Sequence, residues 1–379
     1  MATVTGSYAA PKGISTKPIT TLIQSVKTEG LLVSKQTIFT YENIVGQSSD
    51  IKVRAIDFTG TEIWSKTVDS GLDEVATASA IDAEGSLWLA GNSAVAPQPE
   101  TATALSGALN PDGIVAENIP PLRVDMNNLT IWKINSSGEL ITQTSIANVA
   151  LVDAISVSTS GISVLASRES GQFLVTFAAG KFSNELKFGT TKTKLNAITR
   201  SPDGTTYLFG SSSETLGGKK LVGRVDGILI KVAKTGSIMS IVRSSAPKAV
   251  RSWQSATGSL FVTGSVRSGV TVESALTKFN SSFAPIWTTR IASSGSTLSS
   301  AGPNGSFFAI LEPTSAVKGV TGLKIVKGQS AVLQFDSKGV LIGAYSSIDL
   351  IAPVASAYSS TGGLILLTSA GKLLQIPAN

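Results

Sequence analysis

Apolar residues recur at every second position over short stretches of this chain, as at Leu87 and Leu89 and at Tyr207 and Phe209. That is the period of β-strands with one face turned inward, and no stretch carries a 3.6-residue helical period. Two kinds of punctuation end these strands. In the first, an apolar strand runs into a chain-reversing turn, as at Phe58-Thr59-Gly60, Ser136-Ser137-Gly138, Ala178-Ala179-Gly180, Lys234-Thr235-Gly236, Asn280-Ser281-Ser282 and Ser337-Lys338-Gly339. In the second, a polar turn ending in Gly lies between two strands. Asp82-Ala83-Glu84-Gly85 and Ser201-Pro202-Asp203-Gly204 are its clearest copies, with further ones at Gly30, Gly161, Gly258, Gly305 and Gly362. A glycine at a fixed place in a tight turn marks a backbone position with φ > 0, where a side chain would clash. The chain reads as all-β.

The second pattern occurs seven times, which spaces the units about 54 residues apart, close to the length of a four-stranded propeller blade. The expected fold is a seven-bladed β-propeller of four-stranded antiparallel blades, one domain over 1–379. Its blades are expected near 1–57, 58–135, 136–178, 179–234, 235–280, 281–336 and 337–379. The first blade leaves a choice: residues 4–8 either supply its strand a or close the ring against the last blade. If the glycine turns are b–c hairpins, the long connections at 93–128, 211–226 and 312–329 join strand c to strand d. Long irregular loops on a rigid scaffold are where binding is usually found.

The run from Asp50 through Trp64-Ser65, followed by Asp73-Glu74 and by Ile81-Asp82-Ala83-Glu84-Gly85-Ser86-Leu87-Trp88-Leu89-Ala90-Gly91-Asn92-Ser93, resembles the bacterial β-propeller repeat of cell-surface and secreted proteins, the SBBP-type repeat. The resemblance is good over one and a half repeats. It implies the fold and an exported or envelope location, with a cytoplasmic one as the alternative, and it implies no common catalytic residues.

Composition narrows the chemistry. The 379 residues include no His and no Cys, which removes imidazole- and thiolate-based catalysis, soft-metal sites and disulfides. Charged residues make up only 15% and the net charge is +6, with the cations dispersed among turns and outer strands. That argues against a nucleic-acid groove. No apolar run is long enough for a membrane-spanning helix. Ser-x-x-Lys occurs at Ser49–Lys52, Ser245–Lys248 and Ser315–Lys318, but the Lys can take the Ser proton only on a helix. Paired carboxylates are the remaining acid–base option, with Asp69, Asp73 and Glu74, the pair Asp82 and Glu84, and Glu117 with Asp125 as candidates. The five tryptophans are read as packing residues. No EF-hand run is present, and neither a cofactor nor a metal is expected.

These features point to a non-enzymatic interaction or structural module that binds a protein or surface polymer through its long loops, with Asn118, Arg123 and Asp125 as polar contacts. The alternative is a carbohydrate-active hydrolase or lyase using carboxylates near the central channel.

Overall fold

A computed structural model describes residues 13–46, 48–95, 126–148 and 150–378. Sheet I comprises Gly30–Val33, Ile38–Val45, Ser49–Ile56 and Glu62–Val68. Sheet II comprises Glu74–Ile81, Leu87–Ser93, Asn128–Ile134 and Leu140–Ala147. Sheet III has Leu151–Ser158, Gly161–Arg168 and Gly171–Ala178, with Lys181–Phe182 and Leu186–Phe188 sharing its outer edge. Sheet IV is Thr193–Arg200, Thr206–Ser212, Asp226–Val232 and Ile238–Ser244. Sheet V runs from Val250–Ala256 to Leu341–Ile351, and Lys17–Pro18 lies on its far edge. Sheet VI is Pro353–Ser359, Gly363–Thr368, Leu373–Ile376 and, from the other end of the chain, Thr20–Ile23.

From sheet I to sheet V the first strand of each sheet touches the first strand of the next; Pro285–Ala301 within sheet V then touches Pro353–Ser359 of sheet VI, which touches Gly30–Val33 of sheet I. The sheets therefore close a ring around an axis, with apolar clusters filling the gaps. Phe39, Ile51 and Val53 of sheet I, for example, pack on Leu87, Leu89 and Trp132 of sheet II. The gap between sheets VI and I is filled by Ile365, Leu367 and Leu373 against Leu31, Val33 and Ile38. This is a β-propeller.

The expected seven four-stranded blades are corrected by the hydrogen bonding. Five sheets stand as separate blades, four of them with four strands and one with five; the rest of the ring is one continuous eight-stranded sheet. The cause is Pro285–Ala301, a 17-residue strand. Its first part pairs with Thr271–Phe279 and its second with Phe307–Pro313, so no chain-reversing turn divides the sheet. The junction is a register irregularity between Ser293 and Thr297, where Gly295 has φ +101°.

Loop placement is also corrected. The glycine turn at 82–86 joins the first two strands of sheet II, so it is an a–b hairpin, and the turn at 135–139 is c–d. The long connections after Ser93 and Ser212 therefore join b to c, on the same face as the links between sheets. The ring is closed by Thr20–Ile23 pairing with Leu373–Ile376; residues 4–8 lie outside the described residues.

Three recurring devices hold the ring. In the first, an Asp or Asn opens a c–d turn and its side-chain oxygen accepts the N–H groups two and four residues on. Asp57 accepts from Thr59 and Thr61 (2.8 and 2.9 Å), Asn135 from Ser137 and Glu139, Asn280 from Ser282 and Ala284, and Asp336 from Lys338 and Val340. In the second, an outer-strand tryptophan donates to the neighbouring turn: Trp64 Nε1 to Ser136 O at 3.0 Å and Trp287 Nε1 to Ser337 O at 3.1 Å. The ring lies against Gly138 or Gly339, where a Cβ would come within 3.0 or 2.6 Å of it.

The third device is a one-residue bulge in the inner strands, at Thr77, Asp153, Asn196, Gln254 and Val354. A bulge re-aims one side chain along the sheet edge. Three of these side chains reach the next inner strand. Thr77 Oγ1 donates to Val152 O (2.7 Å), Asn196 Nδ2 to Trp253 O (2.7 Å) and Gln254 Nε2 to Gly295 O (3.0 Å). Opposite the bulges at Thr77, Asn196 and Gln254 stand Gly91, Gly210 and Gly264, where a Cβ would lie 1.9–2.1 Å from a backbone oxygen.

Candidate functional site

The inter-sheet face, where the long connections leave, carries a cavity of about 1300 Å³ between sheets II and III. Val75, Thr77 and Asn92 of sheet II form one wall, Ala150, Leu151 and Arg168 another, and Met126 and Asn127 stand at its lip. The 126–127 end of the 93–128 connection thus lines this cavity, and Asn92 stands next to its other end. Its polar groups are largely engaged with one another. Asn92 Nδ2 donates to Ala150 O at 2.7 Å, and Asn148 Nδ2 to Glu185 Oε1 at 2.7 Å. Arg168 ion-pairs with Glu185, donates to Asn148 and lies 4.5 Å over the Phe173 ring. The Arg168 hydrogen bond, helped by Asn148 and opposed by partial burial, holds the Glu185 carboxyl below its usual range. Among the described lining residues Glu169 is the one carboxylate, so these residues by themselves do not supply the acid–base pair that glycoside cleavage needs.

Carboxylates do converge on the rim between sheets I and II. One oxygen from each of Asp50, Asp69 and Glu74 lies within 4.8 Å of the others. Strand Ser49–Ile56 supplies Asp50, and the link from Val68 to Glu74 supplies the other two. Glu74 is fully buried, and its Oε1 accepts Ser70 N at 3.2 Å and the Ser70 hydroxyl. Burial pushes its carboxyl above the usual range, the Ser70 bonds oppose this, and Asp50 and Asp69 add to the rise. Asp73 faces elsewhere: its Oδ1 accepts Ser49 N at 2.5 Å and its carbonyl accepts Ala94 N at 2.8 Å, at the root of the 93–128 connection. The sequence singled out Asp69, Asp73 and Glu74 because they are neighbours. It did not bring Asp50 to them, because only the pairing of sheet I does so.

The other candidates are structural or fall elsewhere. Asp82 accepts from Trp88 Nε1 (2.9 Å) and Ser86 N (2.7 Å) and pairs with Lys133 (3.1 Å), while Glu84 is exposed on the turn. Burial raises the Asp82 carboxyl, but these three partners outweigh it and leave it below the usual range. Asp203 Oδ1 accepts Thr205 N at 2.9 Å within its own hairpin. The inner-strand carboxylate Asp153 accepts from Ser167 Oγ (3.1 Å) and Gln172 Nε2 (2.7 Å). None of the Ser-x-x-Lys pairs is on a helix, and among the described residues the one helical turn is Pro303–Gly305. Glu117, Asn118, Arg123 and Asp125 lie outside the described residues. No described helix is long and apolar enough to cross a membrane.

The other two long connections are fastened down. In 213–225, Asp226 accepts Val222 N (3.0 Å) and Gly223 N (2.9 Å) and pairs with Arg243 (3.2 Å), whose other nitrogens reach Lys219 O and Glu214 O. In 314–328, Val320–Thr321 pairs in parallel with Ile14–Ser15, and Gly328 N donates to Glu312 Oε1 at 2.7 Å.

Solved structures share this architecture. A streptogramin B lyase structure matches with a TM-score of 0.52 at 10% identity, over 95% of this chain and 97% of that one. The hydrazine synthase of Kuenenia stuttgartiensis matches with a TM-score of 0.55 at 10% identity, over 100% and 99%. At this identity the likeness is one of fold alone. No protein-family model and no curated protein matches the chain, so the fold stands without support for the surface-repeat family in particular.

Proposed function

We propose that this β-propeller is a non-enzymatic binding or structural module, exported or held on a bacterial envelope as its likeness to the surface-protein repeat suggests. It captures a protein or surface polymer on the inter-sheet face, through the 93–128 connection and the cavity beside it, with Asn118, Arg123 and Asp125 as polar contacts. The observation that carries this reading is the cavity itself. It opens beside the 126–127 end of the connection, most of its exposed surface is apolar, and Asn92, Asn148 and Arg168 in its walls are held by hydrogen bonds and an ion pair. Concave sites whose exposed surface is mostly apolar, with polar groups held in fixed positions, are typical of ligand binding.

Deleting 96–121 and joining the flanks with a short Gly-Ser linker should leave the far-ultraviolet circular dichroism and unfolding midpoint nearly unchanged. Capture of partners from an envelope extract should fall at least roughly tenfold, about 1.4 kcal/mol of binding free energy. Capture at the wild-type level by the folded deletion variant would place the binding surface elsewhere.

A further inference from the structure

We propose that Asp50, Asp69 and Glu74 form a site for a hard divalent cation of the Ca²⁺ class, seated on the rim between sheets I and II. The inference is independent of the binding role given to the cavity.

Three carboxylates meet here, and no Lys or Arg lies within ion-pairing distance of any of them among the described residues. A second observation comes from the hydrogen bonding. Glu74 is fully buried, yet its Oε2 has no hydrogen-bond partner, and neither does the buried Oδ1 of Asp50. The oxygens of an ionised carboxylate are acceptors only, and a protein normally supplies each buried one with a donor or a cation. One oxygen of each group is already committed in a way that fixes it: Ser48 Oγ donates to Asp50 Oδ2 (3.0 Å), Gly71 N to Asp69 Oδ1 (2.7 Å) and Ser70 to Glu74 Oε1. Donors that hold the far oxygen of a ligating carboxylate in this way orient the ligand.

The donor set selects the ion. All the ligand atoms are oxygens, in a chain with no His or Cys, which suits a hard cation and leaves a zinc site without its usual ligands. Oxygens bound to one Ca²⁺ at about 2.3–2.6 Å can be at most roughly 4.6–5.2 Å apart, and the separation within 4.8 Å fits a shared ion. Because Asp50 comes from a strand and the other two from the inter-sheet link, the ion would fasten that link to sheet I. The rival occupant is a proton shared among the carboxylates.

The test uses the full chain stripped with a chelator, titrated calorimetrically with CaCl₂ and melted with and without it. One saturable site per chain is expected, with Kd on the order of 0.1–1 mM, the range of extracellular Ca²⁺ modules. Saturating Ca²⁺ should raise the unfolding midpoint by several degrees. Glu74→Gln and the milder Asp69→Asn, at an exposed position, should each weaken binding at least roughly tenfold and remove the Ca²⁺-dependent rise. Glu84→Gln, on a remote exposed turn, should bind as the wild type does. Absence of saturable Ca²⁺ binding in the wild type would overturn the site, as would equal binding by both ligand variants. A Glu74→Gln protein that matches the wild type's stability while neither responds to Ca²⁺ would assign the cluster to a shared proton.

Discussion

Phe283 occupies the place that glycine holds in the turns at Gly60, Gly138 and Gly339, and it does so with φ +63°. A bulky residue is strained there, so something must hold it. Its ring sits edge-on to Tyr207 (5.6 Å) and Phe209 (6.1 Å) and near Phe279 (6.4 Å), sealing the gap between sheets IV and V. Phe283→Gly relieves the backbone and empties the pocket, and the second effect is the larger. Urea unfolding should show a loss of about 2–4 kcal/mol, less than the roughly 3–5 of a typical buried Phe→Ala because strain is released; a stabilised variant would contradict this balance. The same residue shows how far local reading reaches. Asn280-Ser281-Ser282 was recognised as a turn because Asn followed by small polar residues is a local signal, but the long-range packing that lets Phe replace Gly is not local. Buried hydroxyl pairs such as Ser93–Thr130 (2.8 Å) and Ser274–Ser293 (2.7 Å) likewise explain the Ser- and Thr-rich, charge-poor composition. Hydroxyls that bond across strands supply much of the polar component of the interior, beside a few buried charges such as Asp226 and Glu74.

At the scale of the element, the hairpins were legible and their order within a sheet was not. An a–b turn and a c–d turn have the same local chemistry, and only pairing with the next strand tells them apart. The inner-strand bulges left a sequence trace that could have been used: a polar residue between apolar or small ones, in Ala-Thr-Ala, Leu-Asn-Ala and Trp-Gln-Ser, followed by a glycine about fourteen, fourteen and ten residues on, whose pairing partner only the sheet reveals. The fastened connection at 213–225 yields a pH prediction. Burial raises the Asp226 carboxyl, but the Val222 and Gly223 N–H groups, Ser245 and Arg243 outweigh it and hold it below the usual range. A carboxylate with a lowered folded pKa stabilises the fold above its unfolded pKa, about 3.9, and loses that contribution as pH falls through the folded value. Asp226 and Arg243 have side chains only 0% and 7% exposed. Asp226→Asn should therefore cost about 3 kcal/mol at pH 7, as Arg243 is left buried without its counter-charge. Melting from pH 7 to 2 should show the gap from the wild type narrowing below about pH 4. A gap independent of pH would mean that the pair contributes through shape and not charge.

For the whole molecule, alternation and turns were enough to indicate a propeller, because both are repeated local signals. The division of the ring was not readable, since Pro285–Ala301 crosses from one half of sheet V to the other with no turn to mark it. The acidic site was half readable for a related reason: two of its ligands are sequence neighbours and the third arrives by strand pairing. The closure makes a further prediction. Among the described residues Thr20–Ile23 is the only strand of sheet VI from outside 353–376, and Leu22 and Ile23 pack on the core between sheets VI and I. Removing residues 1–23 should lower the unfolding midpoint by roughly 10 °C or more, since each kcal/mol is worth about 2–4 °C in a domain of this class. An unchanged midpoint would show that the ring holds without its clasp.

That clasp also sets a timetable for synthesis. Residues 20–23 emerge from the ribosome early but must wait for 373–376, and at about 5–20 residues per second the interval is roughly 20–70 s. Throughout it the first sheet has a bare flank of Leu31, Val33 and Ile38, for which Leu367 and Leu373 do not yet exist. The nascent chain is thus an open arc with an uncovered apolar end, and its exposure to aggregation is fixed by the distance along the chain between two short strands.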